Sequence, residues 1–560
     1  MNVSPSDLDV SSPSPLAQTP ERNDQHGEVF TRRWVVEMIL DLVDYSEDRD
    51  LSELRLVEPA CGTGAFLAVI TQRISDSCRK HDRPIIDAVN SVRAFDLLAR
   101  NVASSRTVVR DILYQEGWGK AIADQIATAW IHQSDYLLRS TETDIDIVVG
   151  NPPYIRIEDM PEDRMRRYRS LWPSMTGRSD IYIGFYEAAL RSLAPGGALG
   201  FICADRWMRN QYGGTLRNLI STSYAMNACI VMHDVDAFDE QVSAYPAITI
   251  LRRAPQKKVI VADANKDFGP AAAKQLVDWT RRPQQPTVLA NSSYQATFLP
   301  HWFSGTDSWP QGSPARLAVL ESLSDRFPAL GDPDSGVRIG IGIATGADKV
   351  FITTDDQLVE EERLLPLAMV RDTTTGSLKW GKRYLVNPWD EHGKLVDLAR
   401  YPRLRHYFNQ HRQALLGRYI ARKNPANWYK TIDKVEVALT SQPKLLFPDM
   451  KLTSHPVFDE GGHYPHHNLY FITSDAWDLK VLGGLLLSKV AEGFIEAYAV
   501  KMRGKTLRFQ AQYLRRIRVP RPDTLSAEQK QALSSAFEAR DVDAATAAAL
   551  EIYGLIAWPS

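Results

Sequence analysis

The sequence predicts an α/β protein with a Rossmann-like sheet, followed by a separate C-terminal domain of mixed α/β structure. Three observations support this fold class. Strand-like apolar runs alternate with helix-like segments between residues 27 and 253. Glycine, acidic and amide residues follow these runs directly, where such sheets bind their ligands. From about residue 297 the alternation fades, and tryptophan, tyrosine and arginine become frequent.

The first of these strand ends is a glycine turn. An apolar run breaks into Glu58-Pro59-Ala60-Cys61-Gly62-Thr63-Gly64, and a helix is predicted from residue 65. Glycines let the backbone approach a ligand closely, and the helix N-terminus would point at that ligand. No Gly-Lys-Ser/Thr follows, so this is not the phosphate loop of an ATPase. The predicted cofactor contacts here are Glu58, Ala60, Gly62 and Gly64.

Two further strand ends carry an acidic residue. The run at residues 91–96 ends in Asp96, and in doubly wound nucleotide-binding folds an acid at this point binds the ribose hydroxyls. The alternative for Asp96 is an ordinary solvated aspartate. The run at residues 131–137 contains Asp135, just before the next predicted strand.

The most informative motif is Asn151-Pro152-Pro153-Tyr154, which ends the strand-like run at residues 145–150. The amino nitrogen of adenine is a poor nucleophile because its lone pair is delocalised, so its methylation needs acceptors on both N–H bonds. Asn151 offers its side-chain carbonyl and Pro152 its backbone carbonyl, which a stiff Pro-Pro turn holds in place. Tyr154 offers a flat face for the base. With the glycine turn, this tetrapeptide indicates an enzyme that uses S-adenosyl-L-methionine (SAM).

With these pieces in this order, the chain resembles the gamma-class N6-adenine DNA methyltransferases, the Taq type of type II restriction–modification methylases. The resemblance covers nearly the whole chain. It implies that Thr31 lies near the SAM carboxylate, that Asp135 contacts the SAM adenine and that Tyr136 packs on that ring. It also implies that Phe238 stacks on the second face of a flipped target base. Arg32 stands where the family has a proline.

The predicted organisation has four parts. Residues 1–25, rich in Ser, Pro, Asp and Gln, are expected to form a flexible leader, and residues 26–253 the catalytic domain. Residues 254–296 are expected to be a linker, and residues 297–560 a DNA target-recognition domain. Within the catalytic domain, the charged residues 159–169 are expected to form a mobile segment over the site.

DNA binding is expected to depend on local basic patches, because the net charge of the chain is only −2. Residues 400–430 and 498–521 contain no Asp or Glu and interleave basic with aromatic side chains, which suits phosphate contact. An ordinary solvated face is the alternative for each stretch. The predicted DNA contacts are Arg403, Arg418, Arg422, Lys423, Lys505, Arg508 and Arg515.

No metal site is predicted. The four cysteines are scattered without Cys-x-x-Cys spacing, which argues against zinc and against a disulfide scaffold and fits a reduced cytoplasm. His463, His466 and His467 lack cysteine partners, so a polar loop is favoured over a metal cluster. There is no signal peptide and no run of about 20 apolar residues, so a cytoplasmic protein without membrane attachment is expected.

The predicted activity is SAM-dependent methylation of N6 of a flipped adenine in double-stranded DNA. The enzyme is expected to act as a monomer and to protect host DNA from a separately encoded restriction endonuclease. One alternative is a methyltransferase that acts on RNA or protein through the same tetrapeptide. A fused restriction–methylation enzyme and an inactive DNA-binding protein are the others, and the intact tetrapeptide argues against the last.

Overall fold

The structure is a computed structural model that describes residues 30–139, 143–239, 245–282, 288–499 and 507–559. The predicted leader at residues 1–25 lies outside this part of the chain. The chain divides into two compact units, Met1–Ala318 and Val319–Ser560.

Strands of the first unit form one mixed sheet, which has ten strands among the described residues. In chain order they are β1 (Leu56–Glu58), β2 (Val92–Asp96), β3 (Ile131–Gln133), β4 (Ile145–Gly150), β5 (Leu193–Ala204), β6 (Ala225–Val231), β7 (Pro246–Arg252), β8 (Val259–Ala264), β9 (Val288–Ala290) and β10 (Tyr294–Leu299). Across the sheet the order is β3-β2-β1-β4-β5-β7-β6-β8-β10-β9.

Helices of this unit connect and cover the strands. They are α1 (Arg33–Leu42), α2 (Ala65–Lys80), α3 (Ala99–Gln115), α4 (Lys120–Trp130), α5 (Glu162–Leu171), α6 (Tyr182–Ser192), α7 (Gly214–Ser223), α8 (Pro270–Arg281) and α9 (Pro314–Arg326), which contains the boundary between the units. The segment after Thr31 forms the amphipathic helix α1, which buries Val35, Val36 and Ile39 in the core.

Parallel pairing brings the carboxyl ends of β1 to β5 to one edge of the sheet. The chain moves from β1 outward to β2 and β3, then returns to place β4 on the other side of β1. Ligands of doubly wound sheets bind where the strand order reverses in this way. The predicted α/β fold class is confirmed.

The range 254–296, which we expected to be a linker, belongs to the sheet. It contains β8, α8, β9 and the start of β10. β8 pairs with both β6 and β10, and it buries Val259 and Val261. The linker prediction was wrong because Lys, Gln and Pro residues around these short elements dominate the average composition of the range.

The second unit is also a mixture of helices and strands, as predicted, but it begins later than residue 297. Its helices are α10 (Asp348–Phe351), α11 (Pro402–Gln410), α12 (Arg412–Leu416), α13 (Tyr419–Lys423), α14 (Leu479–Leu487), α15 (Lys489–Tyr498), α16 (Ala511–Leu514), α17 (Ala527–Ala539) and α18 (Val542–Tyr553). Its strands are β11 (Val337–Ile341), β12 (Ile352–Thr353), β13 (Leu364–Ala368), β14 (Tyr384–Val386), β15 (Lys444–Pro448), β16 (Met450–Lys451), β17 (Val457–Asp459), β18 (Tyr464–Pro465), β19 (Leu469–Ser474) and β20 (Leu507–Arg508).

These strands form small sheets with the orders β11-β19-β15-β17, β12-β14-β13-β18 and β16-β20. In neither unit is any described helix both long and apolar enough to cross a bilayer.

Candidate active site

A cavity of about 880 Å³ opens at the carboxyl edge of the parallel strands. Its volume is within the roughly 300–1,000 Å³ that is usual for ligand sites. It brings together side chains from the ends of four neighbouring strands. The predicted site residues that line it are Thr31, Glu58, Ala60, Gly62, Asp96, Asp135, Tyr136, Asn151 and Tyr154.

The glycine turn after β1 has the backbone conformation that its sequence predicts. Gly62 and Gly64 have φ angles of +52° and +101°, which residues with a Cβ atom rarely adopt. A Cβ on Gly64 would lie 3.2 Å from the Ser105 hydroxyl oxygen. Gly64 lies outside the cavity wall and immediately precedes α2, so its contribution is to the shape of the turn.

Asp96 joins this turn to the end of β2. Its Oδ2 accepts the Gly62 N–H at 3.0 Å, and its Oδ1 accepts the Leu98 N–H at 2.8 Å and the Asn101 amide N–H at 3.2 Å. The same carboxylate lines the cavity. Asp96 therefore holds the turn in place, and its predicted ribose contact would be made in addition to this structural role.

Glu58 is a buried carboxyl group in the cavity wall. It is 1% exposed, and its Oε2 has no hydrogen-bond partner among the described residues. Burial raises the pKa of Glu58 well above its ordinary value, and the nearby Asp96 carboxylate is a second, smaller cause. A buried oxygen of this kind fits a ligand that brings a cationic donor. SAM carries an ammonium group and a positively charged sulfur, so the donor set here fits SAM.

Thr31 and Asn151 meet in the wall of the same cavity. The Asn151 side-chain N–H donates to the Thr31 hydroxyl at 3.2 Å, and Thr31 is 4% exposed. Since the amide nitrogen is directed at Thr31, the orientation of the acceptor oxygen of Asn151 is also set. The structure thus places the predicted catalytic amide beside a predicted cofactor contact.

The remaining residues of the tetrapeptide differ in exposure. Pro152 is buried and lies outside the cavity lining, so the predicted use of its backbone carbonyl stays a prediction. Tyr154 lines the cavity, and its ring meets Tyr182 edge-on with 6.4 Å between the ring centroids. The Tyr182 hydroxyl is 2.8 Å from that of Tyr212. Burial raises the pKa of Tyr154 well above its ordinary value, so the ring stays neutral.

Phe238 does not line the cavity. Its side chain is 5% exposed and belongs to the core of the first unit. Its backbone forms an antiparallel bridge with Thr31, and the Asp239 N–H donates to the Phe30 carbonyl at 3.0 Å. This pairing directs the ring inward, so we correct the predicted stacking role and assign Phe238 to the core. Residues 240–243 of this motif lie outside the described chain.

Arg32 has the backbone conformation of the proline that the gamma-class methyltransferases have at this position. Its φ is −63°, a value that proline also adopts. Its N–H donates to the Ala237 carbonyl at 3.0 Å, a bond that proline could not make. The Arg32 guanidinium also bonds Asp236 at 2.6 Å, so the segment stays anchored without the proline.

Asp135 and Tyr136 form the wall after β3. The carboxylate of Asp135 accepts the Leu137 N–H at 3.1 Å and the Tyr168 O–H at 2.7 Å. The Tyr136 ring stacks with Phe185, with 5.8 Å between centroids. Tyr168 and Phe185 line the cavity from α5 and α6, and sequence reasoning missed both. Their helices carry no motif, so the residues that face inward could be identified only from the folded chain.

Three of the predicted DNA contacts are engaged inside the second unit. The Arg418 guanidinium donates to the Thr345, Trp428 and Lys430 carbonyls at 2.8–3.1 Å. Arg508 binds both carboxylate oxygens of Asp449, at 2.8 and 2.6 Å, and Arg515 donates to a backbone carbonyl of β11 at 2.9 Å. These contacts stabilise the unit itself, and a role for the three side chains in DNA binding stays a prediction.

The other predicted DNA contacts are more open. Arg403, Arg422 and Lys423 are exposed on α11 and α13. Arg422 donates to the carbonyl of Gly417 at 2.9 Å, and Lys423 lies over the Tyr419 ring. Lys505 lies outside the described residues. A role for these four side chains in DNA binding stays a prediction.

Two of the three loop histidines meet an acid. His466 Nε2 lies 3.3 Å from Asp348 Oδ2 and 3.0 Å from His467 Nδ1, whereas His463 Nδ1 lies 3.0 Å from an oxygen of Asp459. The ring nitrogens of the histidine pair have hydrogen-bonding geometry toward each other. One nitrogen, His466 Nε2, therefore faces both Asp348 and His467, which lie far from it and next to it in sequence. The ligand atoms of these three residues lie within 4.8 Å of one another, a grouping that could also hold a metal ion, so the absence of a metal site stays a prediction.

Comparisons with known proteins agree with this site. The Eco57I restriction-modification methylase family matches residues 98–238. The chain is 42% identical to the type II methyltransferase M.PaeR7I of Pseudomonas aeruginosa, over 94% of this chain and 92% of that protein. It is 40% identical to M.XhoI of Xanthomonas vasicola (95% and 98% covered) and 37% identical to M.BstVI of Geobacillus stearothermophilus (91% and 92% covered), both type II methyltransferases.

Proposed function

The chain belongs to the type II methyltransferases of restriction–modification systems, and from this premise we propose that it methylates N6 of an adenine flipped out of duplex DNA. SAM is the proposed methyl donor. One observation carries the proposal. Asn151, Pro153 and Tyr154 of the tetrapeptide line the same cavity as the glycine turn and the strand-end acids Asp96 and Asp135.

Each proposed contact with the cofactor is made by a side chain that lines the cavity. SAM, when bound, supplies an activated methyl group. Glu58 would accept a hydrogen bond from its ammonium group, which gives the buried Oε2 the partner that the described residues do not provide. Asp96 would accept from the ribose. Tyr136, backed by Phe185, would pack on the adenine ring of the cofactor.

On the substrate side, Asn151 and Pro152 would act as acceptors for the two N–H bonds of the target amino group. The Thr31 hydroxyl restrains the Asn151 amide. Less orientational entropy of the amide is therefore lost when the transition state forms. Tyr154 would stack on the extruded base, with Tyr182 holding the ring from its edge.

In the cell, this activity would mark host DNA so that a separately encoded restriction endonuclease does not cut it. The enzyme would act as a monomer on double-stranded DNA in the cytoplasm. The exposed Arg403, Arg422 and Lys423 of the second unit, together with Lys505, are the proposed phosphate contacts there.

Transfer of a labelled methyl group tests the proposal. Purified protein is incubated with methyl-labelled SAM and duplex DNA, RNA or bulk protein, and the DNA is digested to nucleosides. We expect label only in DNA, as N6-methyladenine, and none with Asn151→Ala protein. Label in cytosine would contradict the adenine assignment, and label only in RNA or protein would contradict the DNA substrate.

A further inference from the structure

Helix α5 presents basic side chains close to the proposed active site. It follows the tetrapeptide at residues 151–154 in the chain, where we had expected a mobile segment. Met160, Pro161, Arg164 and Tyr168 of this region line the cavity. The proposed DNA substrate must approach the same opening, since the flipped base has to reach Tyr154.

Two hydrogen bonds attach the end of α5 to the wall after β3. The Tyr168 O–H donates to Asp135 Oδ2 at 2.7 Å, and the Trp172 indole N–H donates to the Leu137 carbonyl at 2.9 Å. Tyr168 is 1% exposed, so this contact is made inside the protein. Asp135 also lines the cavity, so α5 is attached to a residue proposed to contact the cofactor.

The outward face of α5 is basic. Its acidic residues lie in the first turn, where the helix dipole favours them, and Arg166, Arg167 and Arg169 lie exposed in the later turns. Arg169 donates to the carbonyl of Gly177. Neither Arg166 nor Arg167 forms an ion pair anywhere in the chain as described. These two guanidinium groups are therefore available to an anionic partner.

We propose that Arg166 and Arg167 bind phosphates of the DNA strand beside the flipped base, and that Tyr168 positions them by holding α5 to Asp135. The inference rests on the proposed function, and it moves part of the DNA contact into the catalytic unit. A ligand that orders the wall at Asp135 would also order α5. Coupling of this kind is reciprocal, so SAM would strengthen DNA binding and DNA would strengthen SAM binding.

Paired charge reversal tests the phosphate contact. The variant is Arg166→Glu/Arg167→Glu, and the matched control is Lys257→Glu/Lys258→Glu, which makes the same change of net charge. Lys257 and Lys258 are exposed and follow β7, which runs antiparallel to β5, so they lie at the opposite edge of the sheet. The dissociation constant for duplex DNA is measured by fluorescence anisotropy at several salt concentrations.

We expect the arginine variant to bind duplex at least about tenfold more weakly than the control. Its salt slope should be smaller by roughly 1.8, which is about 0.9 for each phosphate that the variant no longer neutralises. SAM affinity should match that of wild type, which also shows that the variant is folded. Equal DNA affinity in the two variants would overturn the proposal. If the wild-type protein itself bound no duplex, the proposed function would fail too. That result is distinguishable from equal binding by the two variants, in which the wild type still binds.

Tyr168→Phe tests the positioning role, because it removes only the hydroxyl. DNA affinity is measured with and without S-adenosylhomocysteine, an unreactive cofactor analogue. We expect wild type to bind DNA more tightly with the analogue, by a factor in the roughly 5–150-fold range usual for coupled sites, and the variant to lose most of that factor. A residue that is only structural would change thermal stability and leave the factor intact. An unchanged factor, or none in wild type, would overturn this role.

Discussion

At the scale of single residues, Asn151 and Thr31 show how distant parts of the chain meet in one cavity wall. They are 120 positions apart, yet a hydrogen bond joins their side chains. The amide nitrogen is occupied by Thr31, and the amide oxygen is the group that the proposed chemistry needs. Thr31 is therefore expected to act on turnover as well as on cofactor binding.

Asn151→Ala should leave SAM binding close to wild type and lower single-turnover methylation by about 10²–10³-fold, because the missing acceptor acts mainly in the transition state. Thr31→Val should cause a smaller loss, and Thr31→Ser, which keeps the hydroxyl, should restore most of it. Calorimetric binding and rapid-quench kinetics separate the two effects. Turnover at the wild-type rate in Asn151→Ala protein would remove Asn151 from the mechanism.

Glu58 should make the stability of the ligand-free protein depend on pH. Its pKa is raised in the folded state, so its contribution to stability is complete below the unfolded-state pKa of about 4.3. That contribution is lost as the pH rises through the raised value. We expect the free energy of unfolding in urea to fall across this range in wild type, and to fall less in Glu58→Gln protein. Parallel pH profiles for the two proteins would contradict the assignment.

The sequence predicted which residues line the cavity only where a strand end carried a recognisable residue or motif. Asp96 and Asn151 could be predicted in this way, because parallel strands bring their carboxyl ends to one edge. Tyr168 could not, because helix α5 carries no sequence signal for the partner that it meets. Phe238 was misassigned, because an aromatic in a loop has the same sequence pattern whether it faces a ligand or the core.

At the scale of elements, the turn between β1 and α2 contains two glycines that differ in φ angle and in the space available for a Cβ atom. We expect Gly64→Ala to lower the free energy of unfolding on the order of 1–3 kcal/mol and to weaken SAM binding, because φ of +101° and the contact with Ser105 both oppose a side chain. Gly62→Ala is the matched comparison. Its φ is +52° and the nearest atom to a new Cβ is 3.9 Å away, so its stability loss should be smaller. Urea unfolding measures both, and a larger loss at Gly62 would contradict this account.

Element prediction succeeded where periodicity and a boundary signal agreed. β2 and β4 were predicted because each apolar run ended at a recognisable residue, Asp96 or Asn151. The strands β8 to β10 were missed, since short strands among Lys, Gln and Pro residues have little periodicity to detect. β8 joins the sheet through its pairing with β6, which is a long-range contact, and β10 and β9 follow by pairing with β8 and β10.

At the scale of the whole molecule, the extent of the first unit determines which fragments can fold. A fragment ending at residue 253 lacks β8 and β10, and so loses the partner that covers the edge of β6. A fragment ending at residue 318 keeps the complete sheet. We expect the longer fragment to unfold cooperatively and bind SAM but to lose site-specific DNA affinity, and the shorter one to do neither. Cooperative unfolding of the shorter fragment would show that β8 to β10 are dispensable.

The buried carboxyl group of Glu58 has a consequence for how long the protein survives in a cell. A ligand that binds only the folded state adds stability in proportion to the logarithm of its concentration, and proteases degrade mainly unfolded chains. A donor for the Glu58 carboxyl group would arrive with SAM, so methyl-donor supply would set the half-life of the polypeptide as well as its activity. We expect pulse-chase decay to quicken when the producing cell is starved of methionine, and the Glu58→Gln protein to respond much less. A cell short of methyl donor would then hold less of the methyltransferase at the moment when each copy works most slowly.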